Sequence, residues 1–208
     1  MLSPNALAQA HHLAYTPPGR SAPLFSELSF ALTPGLSLIR GGDGRGKTSL
    51  LRLIAGELAP GAGHVVRRAE ATACCSFEQP ADPAHDPVLA RAWLAERRAG
   101  RCAATWLQAL EIALIKVLDL SPHLDKPMFM LSTGSRRKLG LVAAAASGAA
   151  LTLLDTPYAA LDARSGRVLS ELLAEAAEST QRAWVIADYA LPAGLDGVAL
   201  AALIELGD

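Results

Sequence analysis

Short apolar segments alternate along the chain with longer segments whose apolar residues recur at helical spacing. The short segments are typical of buried strands, and the longer ones of helices that cover a sheet. The predicted strands are Leu36–Arg40, Thr72–Phe77, Leu151–Leu154, Ala183–Ala187 and Val198–Ile204. The predicted helices are Lys47–Ala55, Val88–Arg98, Ala103–Leu118, Arg136–Ala146 and Ala163–Ala177. This order predicts an α/β fold with a mostly parallel central sheet.

A loop that contains Pro80, Pro83 and Pro87 separates the second predicted strand from the next helix. Proline cannot continue a helix or a strand, so this loop is expected to be a boundary between two lobes. The 208 residues are 51% apolar, which is sufficient for one substantial core. We therefore expect a single domain over residues 1–208, with a core over 1–79 and 132–208 and a small helical subdomain over about 80–131.

The charge balance excludes one class of partner. Nineteen basic and twenty acidic side chains leave a net charge of -1, so no basic field is present to attract nucleic acid. The three cysteines, Cys74, Cys75 and Cys102, are an odd number without the spacing of metal ligands. Cys74 and Cys75, which are adjacent in an apolar run, are expected to pack as small hydrophobic side chains, and a reducing cytosol is the expected compartment.

Neither a leader nor a membrane span is expected from the apolar runs. Residues Met1–Ala10 lack a basic start that leads into an apolar stretch. The longest uncharged run, Leu139–Leu154, is shorter than the roughly 20 residues that a membrane helix needs. The sequence thus predicts a cytoplasmic protein, and any membrane-crossing part would belong to another polypeptide.

A glycine-rich turn follows the first predicted strand and precedes the first predicted helix. It consists of Gly41, Gly42, Asp43, Gly44, Arg45, Gly46, Lys47, Thr48 and Ser49. Its glycines allow backbone N–H groups to point at phosphate oxygens, and the helix that follows adds its positive end. Lys47 is expected to contact the β- and γ-phosphates, and Thr48 to bind Mg²⁺. The alternative, an ordinary glycine-rich turn, is disfavoured because both flanking elements are those of a phosphate-binding loop.

A carboxylate ends the buried strand at Leu151–Leu154. Asp155 lies there at the carboxyl edge of the sheet, where ligands of open α/β sheets bind. Together with the upstream phosphate-binding loop, this placement indicates a Mg²⁺ site that Asp155 completes.

Several further segments resemble the motifs of ABC transporter ATPases. Leu131–Ser135 stands where that family has its LSGGQ signature, with Thr133 in place of a glycine and Ser135 in place of the glutamine. Gln79 resembles the glutamine that contacts Mg²⁺ and couples to the membrane subunit, and Asp162 ends a segment that resembles the D-loop. Tyr15 is a candidate to stack on adenine, although a structural tyrosine is an equal alternative there.

The resemblance implies the P-loop NTPase fold of ABC ATPases, with an N-terminal antiparallel β subdomain beside the central sheet. It also implies that ATP and Mg²⁺ bind between two such subunits, in a homodimer or a heterodimer. Ser132, Gly134 and Asp162 would then contact the nucleotide held by the partner. An integral-membrane permease is the other implied partner, which would place the chain on the inner face of the cell membrane.

Two positions depart from the family pattern. Thr156 stands where the family has the glutamate that polarises the attacking water, and Asp188 stands where it has the switch histidine. A threonine hydroxyl is not a useful base near neutral pH, and a carboxylate beside a γ-phosphate repels it. We therefore expect ATP binding with impaired hydrolysis. Arg45, where the family prefers a small residue, either strengthens phosphate binding or is a solvated loop residue.

Three functions remain open at this point. The short chain and the segment Leu154–Asp162 resemble the ATP-binding subunit of the haem exporter of cytochrome c maturation. A second possibility is the degenerate half of a heterodimeric ABC ATPase pair. The third is a nucleotide-binding regulatory protein that has no role in transport.

Overall fold

The fold consists of two sheets and six α-helices in the computed structural model, which describes residues 3–207. The strands are β1 (Ala8–Tyr15), β2 (Phe25–Leu32), β3 (Gly35–Arg40), β4 (Ala62–Arg67), β5 (Cys75–Phe77), β6 (Leu151–Asp155), β7 (Ala183–Asp188) and β8 (Ala202–Glu205). The helices are α1 (Lys47–Ala55), α2 (Ala69–Ala73), α3 (Ala90–Arg98), α4 (Gln108–Val117), α5 (Thr133–Ala146) and α6 (Ala163–Ala177). The expected domain bounds at residues 1, 2 and 208 lie outside the described residues.

The central sheet has the strand order β5-β6-β7-β3-β8, and each neighbouring pair is parallel. Alternate side chains of β3 enter different cores: Leu36 and Leu38 pack with α5 and α6, whereas Ile39 packs with α1. Because both faces are covered, the inner strands β6 and β7 are buried and mostly apolar up to the aspartate that ends each of them. The predicted α/β fold with a mostly parallel sheet is confirmed.

The second sheet is antiparallel, with the order β2-β1-β4. One face of β1 is buried and the other is partly exposed, as in a sheet that covers a core on one side. The predicted N-terminal antiparallel subdomain is therefore present. The sequence pattern did not delimit its strands, because charged residues and histidines interrupt their apolar alternation.

All ten predicted elements have a counterpart in the structure, and eight of them differ from it at one or both ends. Helices α1 and α6 have the predicted bounds. The first half of the predicted strand at 72–77 lies in helix α2 and the turn after it, because its alanine-rich start favours a helix. The predicted helix at 103–118 is divided at Trp106, whose extended backbone separates a 3₁₀ turn from α4. Only β8 forms within the predicted strand at 198–204.

The expectation that the cysteines remain thiols is wrong for two of them. Cys74, just before β5, and Cys102, just after α3, form a disulfide with their Cα atoms 5.1 Å apart. Their separation of 28 residues in sequence gave no sign that the two segments meet in the fold. Cys75 is a free thiol, and burial raises its pKa to about 11. The disulfide connects the segment before β5 to the segment after α3.

None of the helices in residues 3–207 is both long enough and apolar enough to cross a membrane.

Candidate functional site

The glycine-rich turn joins the end of β3 to the start of α1. Gly44 has φ +70° and Gly46 has φ +95°, a backbone region that side chains other than glycine rarely adopt. A Cβ at Gly46 would also lie 3.0 Å from the Leu24 side chain. Glycine at 46 is thus required twice, for its backbone conformation and for the close approach of the β1–β2 loop.

Lys47 is buried at the base of this turn, with 7% of its surface exposed. Its Nζ donates to the carbonyl oxygens of Gly41, at 2.7 Å, and Gly42, at 2.8 Å. The ring of Tyr189 lies over the same ammonium group, with its centroid 4.1 Å from Nζ. These contacts satisfy a charge that would otherwise be costly to bury.

Thr48 and Asp155 bring together the turn and the end of β6. The Thr48 hydroxyl donates to Oδ2 of Asp155 at 2.5 Å. A hydroxyl and a carboxylate that face one place are a donor set that suits Mg²⁺, which is commonly held by one or two carboxylates together with phosphates and water. Among residues 3–207, no cluster of three or more histidine, cysteine or acidic side chains forms another metal site.

A cavity of about 310 Å³ lies over the glycine-rich turn, and it is called the phosphate cavity below because that turn is predicted to bind phosphate. It is lined by Arg20, Leu24, Gly42, Asp43, Gly44, Gly46, Lys47, Thr48, Ser49, Asp155, Thr156 and Tyr189. Arg20, Leu24 and Tyr189 are site residues that the sequence did not predict. Arg20 and Leu24 lie in the loop between β1 and β2, and Tyr189 follows β7, so no motif or periodic pattern marked them.

Thr156 lies at this cavity in an unusual backbone conformation. Its φ is +41°, which is rare for a β-branched residue, and its N–H donates to the Ala187 carbonyl at 2.8 Å. Asp188 does not line the cavity. Its Oδ1 accepts a hydrogen bond from the N–H of Tyr189 at 2.8 Å, so the side chain supports the turn after β7.

Arg137, on the first turns of α5, supports the same strand end. Its Nη1 donates to the carbonyls of Asp155, at 2.9 Å, and Thr156, at 2.7 Å. Burial lowers the pKa of Arg137, and the charges of Asp155 and Asp188 act against that shift. The guanidinium therefore fixes the backbone that carries the Asp155 carboxylate.

Gln79 lies between this site and the helical subdomain. Its exposed side chain donates from Nε2 to Glu57 at 3.2 Å. It lines a second cavity of about 440 Å³, which also touches Thr48, Asp155 and Arg137. Gln79 is thus beside the proposed metal site and outside the phosphate cavity, and its role as a Mg²⁺ contact stays a prediction.

The signature segment and the D-loop segment contact each other away from the phosphate cavity. Ser132 caps α5, with its Oγ accepting from Ser135 N at 3.1 Å. A Cβ at Gly134 would lie 2.6 Å from the Ala160 carbonyl oxygen. Asp162 caps α6 and accepts a hydrogen bond from Lys138 Nζ at 2.6 Å, and these bonds lower the pKa of Asp162.

The remaining predicted nucleotide contacts are not brought to the phosphate cavity within this chain. Ser132, Gly134 and Asp162 line no part of it. Tyr15 is half-buried, with its ring centroid 6.4 Å from that of Phe25. Arg45 is exposed on the turn. The roles expected for these residues stay predictions.

Three comparisons relate the chain to known proteins. The family model for ABC transporters matches residues 25–159. The chain is 38% identical over 143 residues to the cytochrome c biogenesis ATP-binding export protein CcmA of Sphingopyxis alaskensis, covering 67% of the chain and 69% of that protein. It is 30% identical over 184 residues to the taurine import ATP-binding protein TauB of Pseudomonas entomophila, covering 85% of the chain and 71% of that protein.

A solved structure from Pyrococcus furiosus, described as an ATP-binding protein of an ABC transporter, has the same fold. Its TM-score is 0.72 at 16% identity, and the superposition covers 96% of both chains.

Proposed function

This chain belongs to the ABC transporter family as an ATP-binding subunit, and we propose that its own nucleotide site binds MgATP but hydrolyses it poorly. The observation that carries the proposal is the residue after Asp155. Thr156 lines the phosphate cavity at the place where a general base is needed, and it offers only a hydroxyl. The arrangement is that of a site that retains its binding groups and lacks its base.

The binding groups act in a simple division of roles. Lys47 supplies the positive charge for the phosphates, and the glycines of the turn expose backbone N–H groups to them. Thr48 and Asp155 would hold Mg²⁺, which when bound offsets charge on the phosphate oxygens. The 2.5 Å hydrogen bond between these two side chains supports their assignment to one site.

Poor hydrolysis is expected because the neighbouring residues supply neither a general base nor a replacement for the switch histidine. General-base assistance contributes about 10²–10⁴-fold to such reactions, and a threonine hydroxyl does not accept a proton near neutral pH. The Asp188 carboxylate accepts a hydrogen bond from the N–H of Tyr189 and does not line the phosphate cavity. No residue at the cavity replaces the switch histidine, because its ionisable side chains are Arg20, Asp43, Lys47, Asp155 and Tyr189.

A second subunit completes the proposed assembly. Ser132 and Gly134 lie at the N-terminus of α5, which favours an anionic ligand, yet they do not line this chain's own cavity. They are therefore free to contact a nucleotide held by a partner cassette. We favour a heterodimer whose partner has both the catalytic glutamate and the switch histidine. In that assembly, the signature of this chain completes the partner's site, and this chain's own altered site binds ATP.

The transported substrate is proposed from similarity. Identity is higher to the cytochrome c biogenesis export protein, over a shorter match, than to the taurine import protein. We favour export in cytochrome c biogenesis, with haem or a related compound as cargo, and a permease as the membrane partner. The chain would then lie at the cytoplasmic face of the membrane.

The test is the ATPase activity of the purified chain, measured beside two variants. The double variant Thr156→Glu, Asp188→His should hydrolyse ATP at least about tenfold faster than the unmodified chain. The variant Lys47→Ala should bind no MgATP and serves as the negative control. Rapid turnover by the unmodified chain would contradict the proposal. Co-purification of the tagged chain with a permease and a second cassette would test the assembly.

A further inference from the structure

The ammonium group of Lys47 has at most one free donor for a phosphate. A lysine ammonium carries three N–H donors. Two of them are used by the carbonyls of Gly41 and Gly42, at 2.7 and 2.8 Å. The ring of Tyr189, 4.1 Å from Nζ, lies against the group as well. The residue on which phosphate binding most depends is therefore held by the protein itself.

Tyr189 spans the mouth of the phosphate site. Its hydroxyl donates to Oδ1 of Asp43, on the glycine-rich turn, at 2.5 Å. At its other end, the Tyr189 N–H is bonded to the Asp188 side chain, which fixes the direction in which the residue leaves β7. The side chain thus runs from the end of β7 to the opposite side of the turn.

Two features show that this contact is able to open. Tyr189 is 53% exposed, so its displacement disturbs no core packing. Asp43 and Gly44 are exposed on the turn, and Gly44 has open space around its Cα. The contact is held by one exposed hydrogen bond and one cation–π contact, each of which contributes modestly.

We propose that Tyr189 and Asp43 form a latch across the glycine-rich turn, which must open before Lys47 contacts the phosphates of ATP. The inference rests on the proposed function, since it concerns the affinity of the same nucleotide site. In the closed form, the tyrosine ring occupies the approach to Lys47. When ATP binds, the hydroxyl leaves Asp43 and the ring moves away from the ammonium group.

The latch makes a prediction that a direct nucleotide contact does not. If the hydrogen bond is present only in the nucleotide-free protein, its removal destabilises that form and leaves the bound form unchanged. Tyr189→Phe should then bind ATP more tightly, by about two- to tenfold, the range given by the typical net contribution of one hydrogen bond. A tyrosine that contacts the nucleotide would give weaker binding in the same variant.

The experiment is a titration of the full-length chain with MgATP by calorimetry, for unmodified protein and variants. Tyr189→Phe should lower the Kd by about two- to tenfold, and Tyr189→Ala should lower it further, because the ring is also removed. Tyr158→Phe is the matched control. It removes a tyrosine hydroxyl that bonds Ser170 at 2.9 Å, away from the phosphate cavity, and should leave the Kd unchanged.

Variants of Asp43 distinguish the effect of the latch on the Kd for ATP from the effect of the Asp43 charge. Asp43→Ala should lower the Kd, since it removes both the latch and a negative charge beside the phosphates. In the Asp43→Ala background, however, Tyr189→Phe should have no further effect, because the hydrogen bond is already absent. An equal effect of Tyr189→Phe in both backgrounds would overturn the latch.

The outcomes distinguish the latch from the proposed function. If the unmodified chain binds MgATP, Lys47→Ala does not, and Tyr189→Phe binds with unchanged or higher Kd, the latch is wrong and the nucleotide site stands. If the unmodified chain fails to bind and Tyr189→Ala binds, the latch is supported. Failure of every variant to bind MgATP would contradict both.

Discussion

The Thr48 hydroxyl donates to the Asp155 carboxylate across 2.5 Å, although 107 residues separate the two in sequence. This contact joins the start of α1 to the end of β6, and it places the two oxygens that a hard cation prefers on one side of the phosphate cavity. Arg137 fixes the backbone at Asp155 by donating hydrogen bonds to the carbonyls of residues 155 and 156. The proposed metal site is therefore built from three separate segments.

The first prediction concerns this pair. Thr48→Val keeps the shape of the side chain and removes its hydroxyl, so it should reduce the Mg²⁺-dependent gain in ATP affinity by at least about tenfold. Thr48→Ser retains the hydroxyl and should preserve most of that gain. The measurement is ATP binding with Mg²⁺ and with EDTA. Equal Mg²⁺ dependence in Thr48→Val and the unmodified chain would remove Thr48 from the site.

The part of this site that was predictable from sequence is the part built by local chemistry. The glycines of the turn, Lys47 and the following helix form a contiguous pattern whose backbone requirements are visible in the residue types. Tyr189 was not predictable, because its position depends on how the chain turns after β7. The Cys74–Cys102 disulfide was missed for a related reason, since the pairing depends on how the segment after α3 packs against the segment before β5.

The fold was predicted where the hydrophobic period was unambiguous. Helix α6, with leucines on one face, has the predicted bounds. The segment before β5 was assigned to a strand because its short apolar run has no clear period, and the alanines within it favour a helix instead. In β1 the consecutive His11 and His12, together with the register shifts beside them, break the alternation of apolar and polar residues.

The second prediction concerns the disulfide. Cross-linking residues 28 apart should stabilise the protein by about 3–4 kcal/mol through the entropy of the unfolded chain. Cys102→Ser should therefore lower the Tm by about 7–14 °C for a chain of this size. Calorimetry under non-reducing conditions measures the change.

The matched controls for that prediction are a second cysteine and a reductant. Cys75→Ser removes a free thiol and leaves the disulfide in place, so it should change the Tm by much less. Adding a thiol reductant should lower the Tm of the unmodified chain toward that of Cys102→Ser, and should leave Cys102→Ser itself unchanged. A reductant-insensitive Tm would show that the bond does not stabilise the fold.

The third prediction concerns Gly134. Its Cα faces the Ala160 carbonyl, and a Cβ there would lie only 2.6 Å from the oxygen, so the backbone has to shift. Gly134→Ala should destabilise the protein by about 1–3 kcal/mol. Gly166→Ala is the control, since Gly166 lies inside α6 with its nearest atom at 4.0 Å, and the change should stabilise by up to about 1 kcal/mol. Similar unfolding midpoints in urea for the two variants would contradict the steric argument.

The fourth prediction is a pH dependence that Asp162 causes. The hydrogen bonds from Lys138 and Ser165 lower its pKa below the ordinary 3.8, so the ionised form is favoured in the folded state. A lowered folded pKa contributes stability that is present above the unfolded pKa and is lost as the pH falls through the folded value. Asp162→Asn should therefore be less stable than the unmodified chain at pH 7, and the difference should shrink as the pH falls below about 4.

Helix α5 provides a control for this effect, because its N-cap does not titrate. Ser132→Ala removes a cap and should cost about 0.5–2 kcal/mol at every pH in the series. Lys138→Gln, in contrast, removes the main cause of the lowered pKa and should reduce the pH dependence, as Asp162→Asn does. The measurement is the urea midpoint of each variant at pH values from about 7 to about 3, a range that includes the ordinary pKa of aspartate. A gap between Asp162→Asn and the unmodified chain that stays constant with pH would mean that the Asp162 side chain stabilises α6 without its charge.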